Sequence, residues 1–115
     1  MSAEFLKACS VKDLKDNKGF RFVVDDVNEV AIFRVNGKIY AVDNVCPHNH
    51  TPKMHLGYIE EEHVLCPVHF FKFSLKDGKQ KDGTGCTLKT YRVKIENDEV
   101  FVERPDGKNF DFDFT

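Results

Sequence analysis

The chain has 115 residues and a mass of 13.3 kDa, which predicts one domain spanning residues 1–115. With 41% hydrophobic and 31% charged residues, its composition is typical of a folded globular protein and excludes disordered or collagen-like classes. The net charge of −2 lacks the basic excess that nucleic-acid or anionic-membrane binding requires. We find no signal-peptide pattern and no apolar run near the roughly 20 residues of a membrane span, so we expect no membrane partner and a cytoplasmic location.

Alternation of apolar and polar residues predicts β-strands through much of the chain. The first three predicted strands cover residues 20–24, 30–35 and 38–42. Asn36 and Gly37 lie between the second and third, and this pair favours the two-residue turn of a β-hairpin.

Further strands are predicted in the second half, and helices are nearly absent. The helix-like segment that we identify, Ser10–Leu14, supports one turn. The alternating tail, residues 110–114, is either an edge strand or a mobile end. About seven short strands without a crossover helix predict an all-β fold, an antiparallel sandwich or small barrel. The later strands cover residues 63–66, 71–74, 88–95 and 99–103, with Asn97-Asp98 joining the last two.

Two short segments that interrupt this pattern each contain a cysteine and a histidine. Cys46 and His48 follow the third predicted strand, and Cys66 and His69 close the fourth. Such short spacings let a thiolate and an imidazole on one loop point to the same side. Two loops brought together by neighbouring strands then offer two sulfurs and two nitrogens, which predicts a four-ligand metal site.

The order of the ligands within each loop distinguishes between two kinds of metal site. Two thiolates and two imidazoles suit either tetrahedral zinc or an iron–sulfur cluster. Structural zinc elements usually repeat one ligand type, whereas each loop here is mixed. A [2Fe-2S] cluster with one Cys-ligated and one His-ligated iron needs one Cys and one His from each loop. The pattern favours the cluster, and a structural zinc-binding domain is the alternative.

Taken together, the two motifs resemble those of the Rieske-type [2Fe-2S] ferredoxin family. The resemblance extends to an aromatic strand with an acidic-Gly turn at residues 71–78 and to a closing strand at residues 88–93. It implies a Rieske-like fold whose cluster-binding subdomain is formed by two loops, at about residues 44–75. The chain departs from the family at His50 and Phe70, where glycine is common.

The resemblance also implies which residues bind the cofactor. Cys46 and Cys66 would hold the buried iron of one [2Fe-2S] cluster, and His48 and His69 the outer iron. All four ligand positions are then filled by protein, so no catalytic residue is assigned and no enzymatic activity is expected.

The implied function is one-electron transfer by a soluble carrier. Electrons would come from a flavin or iron–sulfur reductase and go to a terminal oxygenase or another redox enzyme. We expect a monomer that forms transient complexes. The alternative is a small Rieske subunit of a larger reductase, such as assimilatory nitrite reductase.

Four residues outside the motif receive simpler interpretations. Cys9 and Cys86 are interpreted as thiols without a redox role. Lys53 and Lys72 lie near the ligand loops and suggest a positive collar facing an acidic partner.

Overall fold

A computed structural model describes residues 4–47, 50–68, 71–80 and 85–105 of the chain. Within these ranges the strands pair antiparallel in three sheets, ordered β1-β10-β9, β2-β3-β4-β8 and β5-β6-β7. The described strands are β1 (Phe5–Ser10), β2 (Gly19–Val23), β3 (Glu29–Val35), β4 (Lys38–Asp43), β5 (Tyr58–Glu60), β6 (His63–Leu65), β7 (Lys72–Ser74), β8 (Thr90–Tyr91), β9 (Val93–Glu96) and β10 (Glu99–Glu103), with 3₁₀-helices at Val11–Asp13 and Met54–Leu56.

Strand β3 lies in the middle of the molecule and is buried on both faces. Residues 30–33 are each 0% exposed. Ala31 and Phe33 belong to one core cluster, and Val30 and Ile32 belong to another. Because neighbouring side chains of a strand point to opposite faces, the two clusters lie on opposite sides of the β2-β3-β4-β8 sheet.

Each core cluster joins this central sheet to one of the smaller sheets. On one side the cluster includes Val100 and Val102 of β10. On the other side it includes Val64 of β6 and Phe73 of β7. The described residues therefore form three stacked antiparallel sheets rather than a closed barrel, and the predicted all-β antiparallel class is confirmed.

Two features of the terminal sheet differ from the sequence prediction. Strand β1 was not predicted, and its pairing with β10 shifts register between Lys7 and Cys9. This shift breaks the alternation that marks a strand in the sequence. The single strand predicted at residues 88–95 is two strands, because the chain passes at Arg92 from β8 in the central sheet to β9 in the terminal sheet.

The β5-β6-β7 sheet begins with the short strand β5, which was also not predicted. The turn between β5 and β6 contains Glu61 and Glu62, with φ of 50° and 62°. The Tyr40 hydroxyl donates a hydrogen bond to Glu62 Oε2 at 3.1 Å, and Lys76 Nζ lies 3.1 Å from Glu62 Oε1. The hydrogen bond from Tyr40 ties the turn to strand β4 of the central sheet.

Several local predictions can be compared directly with the structure. The turns at Asn36-Gly37 and Asn97-Asp98 are confirmed, with positive φ at every one of these positions. The predicted helical turn is the 3₁₀-helix Val11–Asp13, where the Ser10 amide donates to Asp13 Oδ2 at 3.0 Å. The predicted strand or mobile end at residues 110–114 lies outside the described residues.

In the part of the chain that the structure describes, no helix has the length and hydrophobicity needed to cross a membrane.

The second 3₁₀-helix, Met54–Leu56, packs closely on the edge strand β2. A Cβ atom at Gly19 would overlap the backbone carbonyl of His55. The absence of a side chain at Gly19 therefore lets the segment after the first cysteine-containing loop rest on the central sheet.

We predict that Gly19→Ala lowers the free energy of unfolding by about 1–3 kcal/mol, because the added methyl group pushes against backbone that cannot move freely. Denaturant unfolding measures the loss, and NMR shifts should concentrate around Met54–Leu56. Gly37→Ala is the comparison: its Cβ meets open space, but its φ is +82°, so any loss there comes from backbone strain and its NMR shifts should stay in the β3–β4 turn. An unchanged unfolding free energy in Gly19→Ala would contradict the close packing.

Candidate metal centre

The first candidate loop begins shortly after β4, at Cys46. This residue is 0% exposed. Its backbone N–H donates to the carbonyl oxygen of Thr51 at 3.1 Å, and its carbonyl accepts a hydrogen bond from the His50 N–H at 2.7 Å. The loop is thus closed on its own cysteine by two backbone hydrogen bonds.

The second candidate loop begins at Cys66, directly after β6, and is closed in the same manner. The Cys66 N–H donates to the carbonyl oxygen of Phe71 at 2.9 Å, and β7 starts at the next residue. In both loops the cysteine N–H bonds to the carbonyl of the fifth residue after it, as from Cys46 to Thr51. Each predicted histidine ligand falls within a loop closed in this way.

The two cysteine side chains lie in the same apolar environment. Cys46 and Cys66 are 0% and 1% exposed and share one core cluster with Met54, Val64 and Phe73. Within the described residues neither sulfur forms a disulfide. Two buried thiols at the ends of neighbouring loops fit the sulfur half of the predicted ligand set.

The histidine half of the ligand set, His48 and His69, lies outside the described residues. Elsewhere, within residues 4–47, 50–68, 71–80 and 85–105, no three His, Cys, Asp or Glu side chains are grouped as metal ligands. The described part of the chain therefore offers no competing metal site.

His50 occupies a backbone conformation that favours glycine. Its φ is 58°, in the left-handed region, and its side chain is exposed. Histidine tolerates this region better than β-branched residues do, although glycine enters it without steric cost. The structure therefore accommodates His50 as a strained but solvent-facing residue.

A polar residue beside the first loop was missed by the sequence analysis. Asn44 lies between β4 and Cys46 and is 0% exposed. It contacts the segment that leaves the loop, with its Nδ2 donating to the Pro52 carbonyl at 3.1 Å and its Oδ1 accepting from the His55 N–H at 2.7 Å. A single asparagine in a predicted loop gives no sequence signal of burial, because this residue type is usually exposed there.

Charged residues support Asn44 from the central sheet. Arg21 on β2 donates from Nε and Nη2 to the two carboxylate oxygens of Glu29 on β3, both at 2.9 Å. Asn44 Nδ2 donates to the same carboxylate at 3.0 Å. The hydrogen bonds from Arg21, aided by the one from Asn44, hold the pKa of Glu29 below its ordinary value, while burial opposes them. Burial also lowers the pKa of His55, which lies on the far side of Asn44.

The remaining sequence interpretations concern charge and thiols. Lys72 Nζ lies 3.0 Å from Glu60 Oε1, so its charge is paired, while Lys53 is exposed. Of the two lysines suggested to form a positive collar, Lys72 is therefore paired with an acidic side chain. Burial raises the pKa of Cys9 to about 11, which keeps this thiol protonated at neutral pH, and Cys86 is exposed.

Comparison with known proteins identifies the family of the chain. A family model for a Rieske-like [2Fe-2S] domain matches residues 4–103. The biphenyl dioxygenase ferredoxin subunit of Pseudomonas sp. (strain KKS102) is 35% identical over 100 residues, covering 86% of this chain and 91% of that protein. The chain belongs to the Rieske-like [2Fe-2S] domain family.

Two solved structures show the same fold. One, described as an NADH-dependent nitrite reductase small subunit from Mycobacterium tuberculosis, has a TM-score of 0.83 and 25% identity, with 91% of this chain and 98% of that one covered. The other, the ferredoxin of Sphingomonas yanoikuyae B1, has a TM-score of 0.78 and 27% identity, with 89% and 100% covered. The resemblance inferred from the sequence is confirmed, and the cofactor is one Rieske-type [2Fe-2S] cluster.

We predict that His50→Gly raises the unfolding free energy by up to about 1 kcal/mol, because relief of the left-handed strain exceeds the added entropy of the unfolded chain. The visible and EPR spectra should not change. Lys53→Gly is the matched control, since Lys53 is exposed with φ of −128° and should lose stability on the same substitution. Destabilisation of His50→Gly relative to the parent would show that the side chain contributes an interaction of its own.

A second prediction concerns pH. Because the pKa of Glu29 is lowered in the folded state, its ionised form stabilises the fold above the ordinary value of 4.5. This contribution is lost as the pH falls below 4.5 through the folded pKa. The stability gap between the parent and Glu29→Gln should therefore be full near neutral pH and close in acid.

Denaturant unfolding at a series of pH values measures this gap. Glu61→Gln makes the same chemical change at an exposed turn position and serves as the control. A gap between the parent and Glu29→Gln that stays constant or widens towards acid pH would contradict the role assigned to the Arg21–Glu29 pair.

Proposed function

We propose that the protein is a one-electron carrier whose [2Fe-2S] cluster is bound by Cys46, Cys66, His48 and His69. The observation that carries this proposal is the matched construction of the two loops, each closed from its buried cysteine N–H to the carbonyl five residues later. The sequence places one Cys and one His in each of these loops, which is the ligand distribution of a Rieske centre.

The cluster, when bound, supplies one-electron redox chemistry at a potential above that of all-cysteine clusters, because neutral imidazoles replace two thiolates. The chain itself buries the two sulfurs. Val64 and Phe73, both 0% exposed, pack in the same cluster as Cys46 and Cys66 and exclude water from that side. By the family resemblance, His48 and His69 would hold the outer iron, from which an electron would pass to a partner.

For the partners, the proposal is a flavin or iron–sulfur reductase as donor and a terminal dioxygenase as acceptor. The biphenyl dioxygenase ferredoxin subunit supports this choice, since this chain matches 91% of its length. We further propose that the protein works in the cytoplasm as a monomer with transient complexes and catalyses no reaction alone.

A second candidate function is that of a fixed small subunit of a reductase. The TM-score of 0.83 with the M. tuberculosis protein described as a nitrite reductase small subunit favours it. A fixed subunit should co-purify with a larger chain, whereas a carrier should elute alone in gel filtration of a native extract.

The first experiment tests the cofactor and its ligands. Protein purified anaerobically should contain about two iron and two sulfide per chain, and dithionite should give a rhombic EPR signal. His48→Ala and His69→Ala should each lose the cluster, and the matched control His50→Ala should keep it. Stoichiometric zinc in place of iron would contradict the proposal, and so would cluster loss confined to His50→Ala.

The second part of the experiment tests electron transfer. A flavoprotein ferredoxin reductase with NADH should bleach the visible spectrum of the loaded protein, and a terminal dioxygenase should restore it in the presence of its substrate and oxygen. Turnover of an aromatic substrate by the isolated loaded chain would contradict the carrier assignment.

A further inference from the structure

The side chain of Asn44 uses its entire hydrogen-bonding capacity. Nδ2 donates to Glu29 Oε1 at 3.0 Å and to the Pro52 carbonyl at 3.1 Å. Oδ1 lies 2.7 Å from the His55 backbone nitrogen, which donates to it, and 3.0 Å from His55 Nδ1. An amide has two donor hydrogens and accepts about two bonds, so no capacity is left over. Among the described residues, Asn44 is the single polar or charged side chain that is buried.

The backbone of Asn44 joins the same two parts of the molecule. Its N–H donates to the Glu29 carbonyl at 2.9 Å, and its carbonyl accepts from the Met54 N–H at 3.0 Å. The Asn44 backbone is therefore bonded both to β3, through Glu29, and to the 3₁₀-helix after the first loop, through Met54. Backbone and side chain together connect Asn44 to Pro52, Met54 and His55, which lie directly after the first ligand loop.

The orientation of the Asn44 amide follows from its partners. The His55 backbone nitrogen can only donate, so the atom facing it is the amide oxygen. The Pro52 carbonyl can only accept, so the atom facing it is the amide nitrogen. His55 Nδ1 then carries a hydrogen, because it faces the same oxygen. The partners of this side chain require both a donor and an acceptor. An amide provides both, whereas an ionised aspartate of the same size only accepts and a leucine does neither.

The base of this arrangement is rigid. Arg21 fixes the Glu29 carboxylate through two hydrogen bonds of 2.9 Å, and Gly19 lets the backbone of His55 lie directly on β2. Asn44 is thus held between a paired carboxylate on one side and a packed 3₁₀-helix on the other.

We propose that Asn44 is a positioning residue of the redox centre. It fixes both ends of the first ligand loop and thereby the position of Cys46, with His55 as its partner in the 3₁₀-helix. The proposal rests on the proposed function, because it treats Cys46 as a cluster ligand. Loss of Asn44 should loosen the hold on the iron and change the electronic environment of the cluster, beyond any loss of overall stability.

The test compares Asn44→Ala with Val100→Ala in loaded protein. Val100 is 0% exposed, lies on β10 and belongs to the core cluster on the opposite side of the central sheet. Its truncation lowers stability without touching the loops. We expect Asn44→Ala to release iron to a chelator about tenfold faster or more, because it leaves buried donors and acceptors unpaired. It should also show altered EPR g-values and a shifted midpoint potential.

Val100→Ala should melt at a lower temperature than the parent but keep the parental g-values, potential and iron-release rate. His55→Ala removes the Nδ1 hydrogen bond and keeps the backbone bond, so it should shift the same readouts in the same direction by a smaller amount. It carries the test if Asn44→Ala does not fold.

Two outcomes distinguish a failure of the positioning role of Asn44 from a failure of the proposed carrier function. If Asn44→Ala and His55→Ala match Val100→Ala in g-values, potential and iron release, the positioning role is overturned while the carrier function stands. If the parent protein itself contains no iron and sulfide, the proposed function fails, and the positioning role fails with it.

Discussion

Cys46 and Cys66 lie outside any strand and yet are buried in the apolar interior, where each of their N–H and C=O groups needs a hydrogen-bond partner. Sheet pairing does not provide these partners, because both cysteines lie after the ends of their strands, β4 and β6. The molecule provides them locally. Each cysteine N–H bonds to a carbonyl of its own loop, and Asn44 satisfies the groups that follow the first loop.

The stacked sheets supply a stable base for the two loops. Strand β3 packs on both faces, so the central sheet is held by two cores at once. Cys46 follows β4 of the central sheet and Cys66 follows β6 of the small sheet, so the two loops come from different layers. Their relative position depends on contacts between those layers, such as the packing of Phe33 and Phe73 in one core and the hydrogen bond from Tyr40 to Glu62.

The polar side chains around the first loop form one connected hydrogen-bond network. Arg21 orients Glu29, Glu29 accepts from Asn44, and Asn44 binds the segment at His55. In a low-dielectric interior, a network with unpaired donors or acceptors lowers stability, whereas a complete network favours one loop conformation.

The sequence alone determined the class of fold and the chemistry of the cofactor. Alternation found the central strands, Asn36-Gly37 located a hairpin, and the mixed Cys-His spacing pointed to a cluster rather than zinc. These signals are local, since each depends on residues a few positions apart. The remaining features required tertiary contacts. The register shift hid β1, three residues were too few to reveal β5, and only the change of sheet at Arg92 split the predicted strand at residues 88–95. The role of Asn44 depends on Glu29, Pro52 and His55, which lie up to 15 positions away and become its partners only when β3, the loop and the 3₁₀-helix pack together.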